Sequence, residues 1–223
     1  MIPAYNEEAR LPALLEKLAG EAESAVAEAG MRLLEVLVVD DGSTDRTAEL
    51  LRAAADGNER LQPVLEYKRN RGKGAAFAAG ALRARGDYVL LADVDLSTPL
   101  RELGKLTAAI QRGADVAIGS RAVPGAVVER GPLHRKVMGN TFNAAVRALT
   151  GLRVRDTQNG FKLFPTKAVK RYAVRQTSPG FAFDVELLHL AERDGMSVRE
   201  VPVEVVNAER STVRVVRDGL VLV

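Results

Sequence analysis

Tyr88-Val89-Leu90-Leu91-Ala92-Asp93-Val94-Asp95-Leu96-Ser97-Thr98-Pro99 is the stretch whose reading decides the fold. Five apolar or aromatic residues run straight into two carboxylates one residue apart, followed by two hydroxyl residues and a proline. The apolar run is too short for a helix and ends on a turn signal, which predicts a buried strand over 88–92. Two carboxylates at its carboxyl end would lie in the crevice where open α/β sheets bind ligands. Hard cations such as Mg²⁺ take one or two protein carboxylates and complete their shell with phosphate oxygens and water. Asp93 and Asp95 are therefore a candidate metal site for holding a diphosphate. An Asp-x-Asp at a strand end also serves as a plain capping or turn pair, and the rest of the chain must decide between the two.

Upstream, Met1 to Ala4 forms the end of a short strand. Tyr5-Asn6-Glu7-Glu8 is a turn in which Asn6 is a candidate helix cap, and Leu11, Leu14, Leu15 and Leu18 follow at helical spacing. Leu34 to Val39 is a second buried strand, ending in the loop Asp40-Asp41-Gly42-Ser43-Thr44-Asp45. Thr44 or Ser43 is placed to cap a helix from Asp45 to about Ala55. Val64 to Tyr67 is a third strand candidate. The loop Asn70-Arg71-Gly72-Lys73-Gly74 opens an alanine-rich helix, Ala75 to Ala84.

Downstream, a helix is expected over 100–112, with Leu103, Leu106 and Ile110 inward, then a strand over Asp115 to Gly119 leading to Ser120-Arg121. This alternation predicts a mostly parallel sheet with helices on both faces. The loops 5–8, 40–45 and 93–98 then fall at one edge of it. The second half reads differently: a loop over 122–133, a helix over Arg135 to Leu149, and a turn into a strand within Gly151 to Phe164. A helix begins near Phe183, and Val198 to Val206 alternates as an edge strand. No repeat or linker breaks the chain, so residues 1–223 are taken as one domain, with a nucleotide half (1–120) and an acceptor half (121–223).

The composition fits that picture. Of 223 residues, 47% are hydrophobic and 27% charged, as in a globular protein, and the net charge of +3 argues for no nucleic-acid partner. The chain has no cysteine and two widely separated histidines, His134 and His189, which excludes a disulfide framework and any Cys- or His-rich metal site. No apolar run reaches the length of a membrane span, and no signal peptide is visible.

Pro3-Ala4-Tyr5-Asn6-Glu7, Asp40 to Asp45, Asn70 to Gly74 and Asp93-Val94-Asp95 resemble, in this order and spacing, the family 2 glycosyltransferases of the GT-A fold. Gly119-Ser120-Arg121, Arg135 to Asn143 and Asp156-Thr157-Gln158-Asn159-Gly160-Phe161-Lys162 further resemble the polyprenyl-phosphate branch, which makes dolichyl-phosphate glucose and dolichyl-phosphate mannose. The last motif is closer in wording to the glucosyl than to the mannosyl enzymes. The first strand lacks its usual preceding residues, and Ser97 stands where some mannosyl relatives carry a glutamine.

The resemblance implies a metal-dependent, inverting hexosyltransferase with Mg²⁺ or Mn²⁺ and UDP-glucose or GDP-mannose as donor. The acceptor would be a polyprenyl or dolichyl phosphate. It implies a cytoplasmic enzyme held peripherally at the membrane surface. Pro3, Tyr5 and Glu7 would meet the base and ribose, Asp40 would accept from the base with Asp41 assisting, and Lys73 would face phosphate. Asp93 would touch ribose or metal, and Asp95 would bind the metal between the phosphates. Arg121 and Arg135, with Lys136, would hold the lipid phosphate, since guanidinium groups bind phosphate bidentately. Asp156, Gln158 and Lys162 would line the sugar pocket, and Arg210, with Arg214 and Arg217, would close over the diphosphate or face anionic lipid.

Each residue also has a plainer reading: packing for Tyr5, helix-start charge for Glu7, Asp184 and Glu186, turn capping for Asp156, solvated surface for the arginines. A glycosyltransferase acting on a glycan hydroxyl and a non-catalytic nucleotide-sugar binder are the alternatives. A hydroxyl acceptor must lose a proton to a positioned base, whereas a lipid phosphate is already anionic and needs only cations. The glycine loop is neither a P-loop nor a dinucleotide fingerprint, which sets both those readings aside.

Overall fold

The structure is a computed structural model and describes residues 1–65, 67–129, 133–180 and 182–206, without the side chains of residues 64–65, 133–140 and 142. The elements run β1 (Ile2–Ala4), α1 (Leu11–Glu28), β2 (Val36–Asp40), α2 (Thr47–Ala55), β3 (Leu61–Leu65), α3 (Lys73–Arg83) and β4 (Tyr88–Leu91). A 3-10 turn (Leu100–Glu102) leads into α4 (Leu103–Gln111) and β5 (Val116–Ser120). Then come β6 (Val127–Val128), α5 (Leu133–Thr150), β7 (Lys162–Pro165), α6 (Thr166–Arg175), α7 (Phe183–Arg193), β8 (Val198–Pro202) and β9 (Glu204–Val205).

β1 pairs in parallel with β2, and β2 with β3. Met1 joins this group to β4: its amino group donates to Leu90 O at 2.7 Å and its carbonyl accepts from Ala92 N at 3.1 Å. One residue bonded to the two that flank Leu91 is the pattern of a parallel pair. β7 lies antiparallel between β4 and β5, and β8 closes the row parallel to β5. Among the described residues seven strands thus stand in the order β3-β2-β1-β4-β7-β5-β8, all parallel except β7, as the alternation of strands and helices predicts.

Alternate residues of a strand point to opposite faces, and two cores form accordingly. Leu37, Val39, Val116, Ile118 and Phe164 pack with Phe77 of α3, Tyr172 of α6 and Leu188 of α7. Val38, Ala117 and Leu163 pack on the other face with Leu11 of α1, Leu51 of α2 and Leu106 of α4. The Ala-rich stretch forms α3 because small residues at Ala76, Ala79 and Gly80 let the helix lie close on the sheet. Gly80 approaches Val39 and Met1 so closely that a Cβ there would collide with both side chains.

Several boundaries differ from the sequence expectation. The second strand starts at Val36, and Leu34 is left exposed. The third strand lies earlier, at Leu61–Leu65. α6 was not expected: it carries only Thr166, Ala168, Val169 and Tyr172 inward, among four basic residues. β8 lies at the sheet edge, as its alternation suggests.

Candidate active site

The loops that leave the parallel strands β1, β2, β4 and β5 all emerge at one edge, as in other open α/β sheets. β7 runs against them, so its first residue, Lys162, and the loop before it arrive at the same edge. Hydrogen bonds weld these loops together.

Asn6 does not cap α1, whose first turn has no side-chain cap. Instead it sits at φ 53° and latches the neighbouring loop: its N–H donates to Ser43 Oγ at 2.9 Å, and its Oδ1 accepts from Thr44 N at 2.8 Å. Neither Ser43 nor Thr44 caps α2. Its N-cap position is Arg46, with no side-chain cap, and Asp45 just before it accepts from Thr47 N and from Thr47 Oγ1. Glu7 pairs with Arg10 at 2.6 Å, and its N–H donates to Thr47 Oγ1 at 2.8 Å. Burial raises the Glu7 pKa; Arg10 opposes this, and the nearby Asp95 and Asp45 add to it. Pro3 lies within β1, and Tyr5 beside these loops is 42% exposed, open to a ligand's flat face.

Asp40 is buried and accepts from Ser43 N at 3.1 Å and from Ser43 Oγ. Asp41 is also buried, but its carboxylate is filled by the 70–72 loop: Asn70 Nδ2 at 2.8 Å, Arg71 N at 2.9 Å and Gly72 N at 2.7 Å. Its position therefore assigns it to holding that loop, in place of the expected assistance to a base. Gly72 and Gly74 do permit a close approach, but to the chain itself. A Cβ at Gly72, with φ 103°, would lie 2.4 Å from Pro179 O, and one at Gly74 would lie 2.5 Å from Ser178 O.

Lys73 opens α3 with its Nζ 2.7 Å from Asp93 Oδ1 and 3.7 Å from Asp184 Oδ2. Burial works against both charged groups, yet their attraction outweighs it: the Asp93 pKa is lowered and the Lys73 pKa raised. Asp93 also feels Lys162 and Arg121. Asp95 accepts from Ser97 N at 2.9 Å, within a turn where Leu96 takes φ 45°. A non-glycine residue there stores strain of the kind found at functional sites.

On the other side, Arg121 N and Nε donate to Asp156 Oδ2 at 2.9 and 2.8 Å, and an Arg121 terminal nitrogen (Nη2) donates to Asp156 Oδ1 at 2.9 Å. Burial raises the Asp156 pKa, and the bonds and charge of Arg121 outweigh it, leaving the carboxyl below its usual range. Asp156 is 1% exposed, so it holds Arg121 where the sequence reading had it lining a sugar pocket. Two of the five N–H groups of Arg121 are taken, which leaves three for an anion. Glu200 of β8 fixes both sides of this pair, accepting from Ser120 Oγ at 2.7 Å and Asp156 N at 3.0 Å. Asn143 of α5 accepts from Thr157 N and Oγ1, which sets the helix carrying Arg135 against this loop. The side chains of Arg135 and Lys136 lie outside the described residues, as do Arg210, Arg214 and Arg217.

Gln158 is partly buried in the same loop. Lys162 is not part of a pocket wall. By alternation it shares the face of Phe164, the face that α7 covers, and its side chain is fully enclosed. Its ammonium donates to Asn159 O and to Asp184 Oδ1. Asp184 was read from the sequence as a helix-start carboxylate only. It shares α7's buried face with Leu187, Leu188 and Ala191, and burial at that spacing is the signal that it needs a cation.

Among the described residues no three His, Cys, Asp or Glu side chains gather closely enough to hold a metal. The donor set fits a hard cation that takes one or two carboxylates and draws its other ligands from phosphate and water. Asp95, with one oxygen engaged by a single N–H, fits that description; Asp93 already carries an ammonium.

The sequence profile of glycosyl transferase family 2 matches residues 1–177. A dolichyl-phosphate beta-glucosyltransferase of Drosophila melanogaster is 36% identical over 212 residues, covering 91% of this chain and 65% of that protein. One from Trichomonas vaginalis is 36% identical over 211 residues, covering 92% of this chain and 62% of that protein. The chain thus spans somewhat less than two thirds of these curated relatives. A polyprenol monophosphomannose synthase of Mycolicibacterium smegmatis is 33% identical over 207 residues, covering 91% of this chain and 75% of that protein. Among solved structures, glucosyl-3-phosphoglycerate synthase from Mycobacterium tuberculosis with Mn²⁺ and UDP-glucose matches at TM-score 0.59 and 20% identity. That match covers 92% of this chain and 68% of the other, and it shows the GT-A fold.

Proposed function

The chain belongs to glycosyltransferase family 2, and from that membership we propose that it moves a hexose from a nucleotide diphospho-sugar to a polyprenyl phosphate with inversion. Glucose from UDP-glucose is favoured over mannose from GDP-mannose, because the glucosyltransferases named above are somewhat more similar to this chain than the mannosyl enzyme is. The structural relative that holds Mn²⁺ and UDP-glucose supports a divalent metal, Mg²⁺ or Mn²⁺, and a nucleotide-sugar donor.

The observation that carries this reading is how three carboxylates around the site are engaged. Asp93 is held by Lys73, Asp156 by Arg121 and Asp184 by Lys162. A carboxylate locked to a cation is a poor proton acceptor, which disfavours a sugar hydroxyl as nucleophile. A phosphate needs no base. The three remaining Arg121 N–H groups suit it, and Arg135 lies on the helix set against the same loop.

In this reading Tyr5 stacks on the base or ribose, Asp40 accepts from the base, and Glu7, with its raised pKa, faces a ribose hydroxyl. Lys73 lies beside the diphosphate. Asp95 would hold the metal, which supplies positive charge to the departing nucleoside diphosphate. Arg121, fixed by Asp156, orients the lipid phosphate for attack on the far face of the sugar. Gln158 contributes to the sugar's surroundings, and Arg210 to the diphosphate. No helix among the described residues is long and apolar enough to cross a membrane. We place the enzyme peripherally at the cytoplasmic face of a membrane, where its lipid acceptor lies.

The test is incubation with Mn²⁺ or Mg²⁺, a short polyprenyl phosphate and, separately, UDP-glucose and GDP-mannose. A glycolipid formed mainly from UDP-glucose is expected. No glycolipid from either donor, with glycosylation of a free glycan instead, overturns the reading.

A further inference from the structure

The segment that follows Arg121 carries no charge for seven residues, Ala122-Val123-Pro124-Gly125-Ala126-Val127-Val128. It ends in β6, whose valines, Val127 and Val128, are 61% and 41% exposed. Beside it lies an open cavity of about 360 Å³, lined by Val123 and Pro124 together with Arg153, Arg155, Arg199 and Glu200. We propose that this apolar tip and its arginine collar are the surface by which the chain docks on a membrane of anionic phospholipid. The valines enter the headgroup boundary and the arginines meet the lipid phosphates. The proposal rests on the polyprenyl-phosphate reading above and names the face that meets the membrane.

The tip is held in place. Ala126 N donates to Val123 O at 3.3 Å, closing a turn in which Gly125 takes φ 91°. Val127 N donates to Val203 O at 3.1 Å and Glu129 N to Val205 O at 3.0 Å, which pairs β6 with β9. Val206 N, just past β9, donates to Ser97 O at 2.8 Å in the loop that carries Asp95, so the ribbon belongs to the ligand edge. Val203 and Val205 are buried. The core beneath the ribbon is therefore already filled, and Val127 and Val128 have none to join. β9 follows β8 after one residue, and Val127 pairs with Glu204 where Ser120 pairs with Pro202. Val127 thus stands two residues, about 7 Å, beyond the level of Ser120 along that chain. Arg121 comes next after Ser120, and a lipid phosphate held by it lies in the headgroup layer of its membrane. The step matches the depth of about 5–10 Å to which interfacial apolar faces enter a bilayer.

Arg153, Arg155 and Arg199 are exposed, and among the described residues none of their guanidinium groups is paired with a carboxylate. Glu200 shares the cavity, but its oxygens accept from Ser120 Oγ and from the N–H groups of Arg155 and Asp156. Three free cations therefore surround one engaged carboxylate, and guanidinium groups bind phosphate bidentately. A soluble anion would use the arginines and leave the valines in water. A bilayer uses both, because its phosphates lie at the rim of an apolar interior.

The test is sedimentation of the whole chain with vesicles of phosphatidylcholine carrying about one third phosphatidylglycerol, and with vesicles of phosphatidylcholine alone. Preference for the anionic vesicles is expected, weakening as salt rises. Val127→Ser/Val128→Ser should weaken binding to the anionic vesicles about tenfold. Arg153→Gln/Arg155→Gln/Arg199→Gln should weaken it by at least about tenfold and leave binding to the neutral vesicles unchanged. The chain has no tryptophan, so Val127→Trp makes a local probe. Its emission should move to the blue with anionic vesicles, and that of Leu34→Trp, just before β2 at the opposite edge, should not. Equal shifts at the two positions, or no binding to anionic vesicles, overturn the proposal. So does loss of self-association, in place of vesicle binding, in the valine variant, which would give this face to a second copy. The vesicles hold neither donor nor acceptor, so a failed glycolipid assay leaves this result standing. Normal transfer to a short polyprenyl phosphate without vesicle binding overturns the docking surface alone.

Discussion

Arg121 and Asp156 are joined by three hydrogen bonds, two from the Arg121 side chain and one from its backbone N–H. The side-chain fork fixes the guanidinium plane, and the backbone bond fixes the residue that carries it. Asp156→Asn should therefore loosen Arg121 without removing its charge. We expect KM for the lipid phosphate to rise by about tenfold with kcat less affected, from the loss of a charge-assisted pair of about 1.5 kcal/mol. Arg121→Ala should do more, since it removes the anion's donors. A KM unchanged in both variants would deny Arg121 its role. The pair also has a pH signature. The Asp156 pKa is lowered on folding, so its contribution is complete above the ordinary carboxylate value and is lost as pH falls through the lowered one.

Asp95→Ala should reduce turnover by about a thousandfold, corresponding to roughly 4 kcal/mol of lost transition-state stabilisation. Excess Mn²⁺ should not restore it. Full activity in this variant would remove Asp95 from the site. Thermal stability should change little, because its carboxylate makes one backbone hydrogen bond at 2.9 Å.

Gly72→Ala should destabilise the fold by about 1–3 kcal/mol, for two reasons: φ is 103°, and the added methyl group would meet Pro179 O at 2.4 Å. The same displacement would carry Lys73 away from Asp93. Loss of donor affinity should therefore accompany the loss of stability, measured by nucleotide binding and urea unfolding on the same sample. An alanine variant with unchanged unfolding would contradict the tight approach seen here.

The parallel sheet and its ligand edge were legible in the sequence because apolar runs end in Asn and Glu after β1, in Asp, Gly and Ser after β2, and in Asp and Ser after β4. The Asn70 to Gly74 loop was legible for its glycines, but not for what approaches them, since Pro179 is more than a hundred residues away. Lys162 was placed in the sugar pocket from motif wording alone. Its true setting depends on β7 running backwards, so that α7 covers it, and no local pattern records a strand's direction. Asp184 was seen and passed over because an acid at a helix start needs no partner when exposed. Its burial follows from the packing of α7 as a whole. α6 was missed because its narrow apolar stripe lies among Lys167, Lys170, Arg171 and Arg175.

The reversed strand has a consequence for how the chain must be built. Among the described residues β5 pairs with β7 and β8 and with no strand from the first 115 residues. A ribosome that has made residues 1–120 has released most of the donor loops, yet β4 and β5 still lack the strand that joins them. The division into two halves is thus a division of labour and not of folding. The nascent chain must keep β5 from wandering until some forty further residues have emerged, and a fragment ending at 120 should aggregate through its open strand edges.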